Sequence, residues 1–171
     1  TVKVWTKFNF DERTNKYSNF KWNWTHFHGI DWDENEQKNG IYRFYGKHWD
    51  EDVDKENGNF DYLMGADVDL NNSEVVEELK KWGRWYLDFT NVDGFRLDAL
   101  KHIRADFFKV WLEEMQKAKG DDKLFVVGEY WKNDLTILNN YIEAIDNRAS
   151  LFDVTLHFNF FYNKARCPPL L

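Results

Sequence analysis

The rhythm of apolar positions changes near residue 73. Before it the apolar residues alternate over short stretches: Val2, Val4, Phe8 and Phe10 share one face of TVKVWTKFNF, which predicts a strand rather than a charged-then-apolar leader, and IYRFYG at 41–46 alternates likewise. Residues 1–60, rich in Trp, Asn, Gly and Asp, therefore read as an irregular, β-rich unit. From Ser73 the period becomes helical. Val75, Leu79, Trp82 and Tyr86 fall on one face of a helix over 74–88, with Ser73 as its expected N-cap and Glu74 in its first turn. A second helix is predicted over 104–118, with Phe107, Val110, Trp111 and Met115 on one side and Gly120 closing it, and a third over 134–145 with Leu135, Leu138 and Ile142. Between them lie apolar strand candidates at 92–97, 124–129 (LFVVGE) and 151–158 (LFDVTLHF).

Strand candidates that recur about every 30 residues with helices between them have the spacing of βα units around a parallel sheet. The chain has 171 residues, whereas a closed eight-stranded barrel takes roughly 250. The fold class expected is thus α/β, a sector of a (β/α) barrel with an attached β-rich unit. The tail ARCPPLL holds both prolines and the sole cysteine, Cys167. Its composition differs from everything before it, and residues 163–171 are expected to be a truncation or reading-frame artefact.

Composition narrows the partners. A net charge of −7 argues against nucleic acid or an anionic membrane surface, both of which demand a cationic patch. No apolar run is long enough to span a bilayer as a helix. The negative charge is concentrated: residues 31–69 hold twelve Asp and Glu against four Lys and Arg, so cations or neutral ligands fit that region. Nine Trp among 19% aromatics would suit stacking against sugar rings, although each could equally fill a core.

Two short motifs carry the chemistry. In VDGFRLDALKH, Arg96 and Asp98 are two apart, so on a strand both leave the same face. A guanidinium beside the carboxylate favours its charged form, as a nucleophile needs, and a plain Arg–Asp ion pair is the competing reading. In GEYW, Glu129 ends an apolar strand and precedes Tyr130 and Trp131, surroundings expected to raise its pKa as a general acid needs. The pair is more telling than either alone: retaining glycoside cleavage divides labour between two such carboxylates, typically about 5–5.5 Å apart.

VDGFRLDALKHI and GEYW resemble the strand-four and strand-five motifs of glycoside hydrolase family 13, and NGNFDYLMGADVDL resembles the bacterial liquefying α-amylases; the resemblance runs over about residues 1–162. It implies a partial (β/α)8 barrel, about strands 3 to 6, over 61–162, with residues 1–60 as the B domain inserted after the third strand. It further implies an endo-acting, secreted, monomeric hydrolase of α-1,4-glucosidic bonds in starch and maltooligosaccharides. Asp98 is then the nucleophile and Glu129 the acid/base, with Arg96, Lys101, His102 and Trp131 as substrate-binding residues. The family's third catalytic carboxylate motif is absent from this chain, so activity of the chain by itself is not expected.

The same resemblance implies a metal cluster of Asp50, Asp61, Asp67 and Asp69 with the backbone carbonyl of His102, holding calcium. His28 and Asn71 stand where cluster aspartates are implied, each removing one negative charge, so at least one calcium site is expected to be weak, absent or given to a monovalent ion, with sodium able to replace one or more calcium ions. An EF-hand reading of Asp67, Asp69, Asn71 and Glu78 fails at the sixth position, where Asn72 stands in place of the required Gly. Transglycosylases of the same family, and a non-catalytic carbohydrate-binding relative, are the alternatives; the joint presence of Asp98 and Glu129 argues against the latter.

Overall fold

A computed structural model describes residues 1–13, 16–120 and 124–164; the tail from residue 165 lies outside the described residues. The described part is mixed α/β with two three-stranded sheets. The first is antiparallel. Its middle strand β1 (Phe27–Asp33) pairs with β2 (Lys38–Arg43) on one side and β3 (Ala66–Val68) on the other, with β1 mostly buried and β2 half exposed. The pairing of β1 with β3 slips between Phe27 and Gly29, so His28 is the extra residue of a bulge, a device that re-aims a side chain.

The second sheet is parallel, in the order β4 (Gly94–Leu97), β5 (Phe125–Gly128), β6 (Ser150–Leu151). Helices α1 (Ser73–Thr90), α2 (Ala105–Lys119) and α3 (Leu135–Ala144) precede or connect these strands. The βα alternation expected from the sequence is present, and the sheet ends at β4 and β6 without closing on itself.

Helix ends follow local chemistry. Asn72, one residue earlier than expected, caps α1 by accepting from the Glu74 N–H at 3.0 Å, and Asn91 ends it in the left-handed region at φ 52°. Asp134 caps α3 through the Thr136 and Ile137 N–H groups. Helices α1 and α2 approach closely at Gly83, where a Cβ would stand 2.5 Å from Met115 Sδ and 2.8 Å from Trp111 Cζ2. Trp111 Nε1 donates to the Leu79 carbonyl at 3.1 Å across the same contact. The core gathers Leu87, Leu100, Phe108, Trp111, Leu112, Met115, Val126 and Leu138 beneath the parallel sheet.

Two expectations change. TVKVWTKFNF is not a strand: only Phe8 makes a bridge, to Trp22, and Phe8 and Phe10 are exposed. LFDVTLHF is a strand only at Leu151, and Val154–Lys164 form helix α4, because the Asp153 carboxylate accepts from the Leu156 N–H at 2.8 Å and caps a helix there. The antiparallel sheet extends to Val68, past the boundary expected at residue 60. Large apolar side chains stay uncovered on α1 (Trp82, Trp85, Phe89) and α4 (Phe160, Phe161, Tyr162).

Candidate active site and carboxylate cluster

Asp98 and Glu129 follow directly on β4 and β5, and the parallel ladder continues beneath them: Glu129 N–H donates to the Leu97 carbonyl at 2.8 Å and Leu100 N–H to the Glu129 carbonyl at 3.0 Å. Gly128 makes room for this arrangement, since a Cβ there would lie 2.1 Å from Leu100 Cδ1. Directly after Asp98, Ala99 is held in the left-handed region at φ 54°, a conformation disfavoured by about 1–2 kcal/mol for a residue with a Cβ. The chain reverses there into a tight turn over Leu100–His102.

One guanidinium joins the two carboxyl groups. Arg96 Nη1 is 2.6 Å from Asp98 Oδ1 and Nη2 is 2.9 Å from Glu129 Oε2. The neighbouring Glu129 lowers the Asp98 carboxyl, burial opposes it, and Arg96 adds to the lowering, so that the group lies below the ordinary carboxylate range. With Asp98 favoured as the anion, an ionised carboxylate stands beside a second carboxyl group across one guanidinium. Asp98 is 68% exposed and Glu129 26%, so the pair opens to solvent and to a ligand.

The other expected substrate-binding residues do not join them. Lys101 Nζ turns to Glu56 Oε2 at 3.0 Å and the Trp131 carbonyl at 3.3 Å, above the Phe60 ring. The buried His102 shares a 2.8 Å hydrogen bond between Nδ1 and the Phe60 carbonyl. Trp131 is partly exposed and packs on His157 and Phe158. Nor does Glu129 sit in an aromatic box, because the next ring, Tyr130, points to the opposite side, into the core against Tyr141.

Sequence reasoning missed what Tyr130 reaches. Its O–H donates to the buried Asp54 at 2.9 Å, Lys132 Nζ reaches Asp54 at 3.1 Å and Glu56 at 3.4 Å, and the Asp54 N–H donates to the Lys101 carbonyl at 2.9 Å. Burial pushes the Asp54 carboxyl up, but the Glu56 N–H, Tyr130 and Lys132 together hold it below the ordinary value. Segment 54–60 is thereby tied to both strand ends that carry the pair. The available signal was Tyr130 and Lys132, which alternate with Glu129 and Trp131.

The acidic residues of the expected metal cluster do converge. Asp50, Asp61 and Asp69 are buried and Asp67 nearly so. At their centre is His28, 1% exposed: Nδ1 lies 2.9 Å from Asp67 and 3.4 Å from Asp61, and Nε2 lies 3.0 Å from Asp69 and 4.0 Å from Asp50. Burial pushes the imidazole down, but Asp61, Asp67, Asp69 and Asp50 push it further up, to about 10. Burial also pushes the Asp67 carboxyl up to about 6. Lys47 Nζ is 2.5 Å from Asp69, Asn71 Nδ2 donates to Asp50 at 2.5 Å, and Arg104 donates to the Asn71 side-chain oxygen. Ligand atoms of His28, Asp50 and Asp61 come within 4.8 Å of one another, so a metal-sized grouping exists. The donor set nevertheless fits a hard divalent ion poorly: a ring stands among the carboxylates, and the Asn71 oxygen is engaged by Arg104. His102 lines the neighbouring cavity of about 290 Å³ together with Asp50, Asp61 and Asp67.

Comparison with known proteins places this geometry in a family. Residues 4–168 match the model of the α-amylase catalytic domain. The chain is 53% identical over 167 residues to an α-amylase of Geobacillus stearothermophilus, covering 96% of this chain and 30% of that protein. It is 48% identical over 159 residues to an α-amylase of Bacillus licheniformis, covering 93% and 31%. The chain thus spans about a third of the length of the curated relatives it matches. Among solved structures, an α-amylase of Geobacillus thermoleovorans in complex with acarbose aligns with a TM-score of 0.53 at 27% identity, over 66% of this chain and 25% of that one.

Proposed function

The chain belongs to the α-amylase catalytic-domain family, and from that premise we propose that Asp98 and Glu129 are the working pair of an endo-acting hydrolase of α-1,4-glucosidic bonds. The observation that carries this reading is the single Arg96 guanidinium spanning both carboxyl groups at adjacent parallel strand ends. Asp98, held ionised, attacks the anomeric carbon and forms a glycosyl ester. Glu129 gives its proton to the departing oxygen, then takes one from the water that cleaves the ester, so configuration is retained. Arg96 holds the two groups in register, and Trp131, exposed just beyond Glu129, offers a ring on which a sugar can stack.

Residues 61–162 are proposed to be a sector of a (β/α)8 barrel, about its strands 3 to 6, with the preceding residues as the inserted B unit; the parallel order β4-β5-β6 supports the sector, while the antiparallel sheet of the B unit reaches across the boundary through β3. The substrate is proposed to be starch and maltooligosaccharides, supported by the acarbose complex of the Geobacillus thermoleovorans relative. A secreted, monomeric enzyme is the setting that the resemblance implies. Among the described residues no helix is long and apolar enough to cross a membrane. Calcium, or sodium in its place, is the implied cofactor at the aspartate cluster. The position of the His28 ring, with a carboxylate on each nitrogen, argues against an ion at the cluster centre.

The test is a chimera in which the Geobacillus stearothermophilus relative supplies the flanking residues. It should release reducing ends from soluble starch with internal cleavage and α-configured products. A folded chimera that binds starch without cleaving it would sink the proposal in favour of a non-catalytic binding relative.

A further inference from the structure

We propose that no metal ion sits in the four-aspartate cluster: the His28 ring occupies its centre, and Lys47 and Arg104 at the rim supply cationic charge from the chain itself. Four carboxylates brought together out of water repel strongly and need compensating charge. The His28 ring fills the centre of the cluster. Each ring nitrogen has a carboxylate at hydrogen-bond distance, Asp67 on Nδ1 at 2.9 Å and Asp69 on Nε2 at 3.0 Å, so both nitrogens are taken by protein partners and the ring itself stands where an ion would have to sit. A histidine that ligated a metal would keep one nitrogen bare toward the ion and use the other for an outer partner.

The rim completes the compensation. Lys47 Nζ bonds Asp69 at 2.5 Å and the Thr25 carbonyl at 2.7 Å. Arg104 stands 3.9 Å from Asp50 and bonds the oxygen of Asn71, whose amide nitrogen is thereby turned toward Asp50 as a donor. Against four carboxylates the chain sets the His28 ring at the centre and two cationic side chains, Lys47 and Arg104, at the rim. Backbone geometry supports the placement, because the β1 bulge at His28 aims its ring between β3, which carries Asp67, and the loop carrying Asp50. The ring's edge also rests near Trp49, at 6.3 Å between centroids. Segment 50–61 is consequently pinned to the antiparallel sheet through His28, which reaches Asp50 and Asp61. Nothing in this inference depends on catalysis by Asp98 and Glu129, and its test needs no activity.

The experiment uses the full 171-residue chain, stripped with EDTA, dialysed against calcium, zinc or sodium, and compared with H28D, which puts a fifth aspartate in place of the ring. Metal content is measured by mass spectrometry and stability by thermal melting. The parent should hold no stoichiometric metal, and its melting temperature should be indifferent to EDTA and to each added ion at constant ionic strength. H28D should take up calcium, and with saturating ion its melting temperature should rise by on the order of 10 °C. If H28D does not fold under any condition, the parent's metal content decides alone. Stoichiometric calcium, sodium or zinc in the parent, or an EDTA-induced fall of that size, would overturn the proposal.

Discussion

The molecule holds two groups of carboxylates that differ in almost every physical respect. At the ends of β4 and β5, two carboxyl groups share one guanidinium in the open, and Asp98 is 68% exposed. Around β1 and β3, four carboxylates surround an imidazole that is 1% exposed. Solvent screens the first group and leaves its oxygens free to bond to something else, so its charge is available for chemistry. Burial removes that freedom from the second: each carboxylate is committed to a protein donor, and taking one partner away leaves an uncompensated charge out of water. Exposed carboxylates with oxygens free for a ligand can act, whereas buried ones with fixed partners can only hold.

The contrast predicts opposite consequences of mutation. Asp98→Asn in the chimera should lower turnover on soluble starch by on the order of 10⁴-fold or more, and Glu129→Gln by about 10²–10⁴-fold, while the melting temperature of each stays close to the parent's. Near-parental turnover in either would break the division of labour. His28→Ala should do the reverse and destabilise the chain by about 3–5 kcal/mol, read by urea unfolding in EDTA. An unchanged midpoint would mean that the buried cluster is compensated in another way.

A smaller effect is expected where the helices carrying the sheet touch. Gly83→Ala forces a methyl group against Met115 and Trp111 and should cost about 1–3 kcal/mol, although an isolated helix would gain from the change. Stabilisation by this variant would mean that α1 and α2 do not pack as described.

The smallest effect concerns pH and the bridge between the two regions. Asp54 has a folded-state pKa held below the ordinary 3.8. Its contribution is therefore fully present above that value and is lost as pH falls through the lower, folded value. Tyr130→Phe removes one of the donors responsible, so it should destabilise by about 1–2 kcal/mol at neutral pH, and the difference from the parent should vanish in acid once Asp54 is protonated in both. A deficit that persisted undiminished into acid would assign the loss to packing of the Tyr130 ring instead of its hydrogen bond.

How legible these regions were in the sequence follows from the range of their contacts. The βα half announces itself locally: Arg96 and Asp98 leave the strand together because of its two-residue period, and α1, α2 and α3 lie within one or two residues of their predicted ends. LFDVTLHF misled because a short apolar run fits strand and helix alike, and the capping carboxylate of Asp153 decided for the helix. TVKVWTKFNF alternates but finds no partner strand among the described residues. Lys101 and His102 were legible as neighbours of Asp98, yet the left-handed turn at Ala99 sends their side chains to segment 54–60. His28 could be read only as a missing aspartate, because its role depends on Asp67, 39 residues away, and on a bulge that has no signature in the alternation.

The most direct test of the claim that the exposed pair acts chemically is to trap the glycosyl ester. In the chimera carrying Glu129→Gln, an α-glucosyl fluoride still reacts, since its leaving group needs no proton, but hydrolysis of the ester lacks its base. Intact-mass and peptide mass spectrometry should then find one glucosyl unit on the peptide containing Asp98, and none after Asp98→Asn is added. A glucosyl unit on another residue, or turnover with no adduct and inverted configuration, would contradict the assignment of Asp98 as the nucleophile.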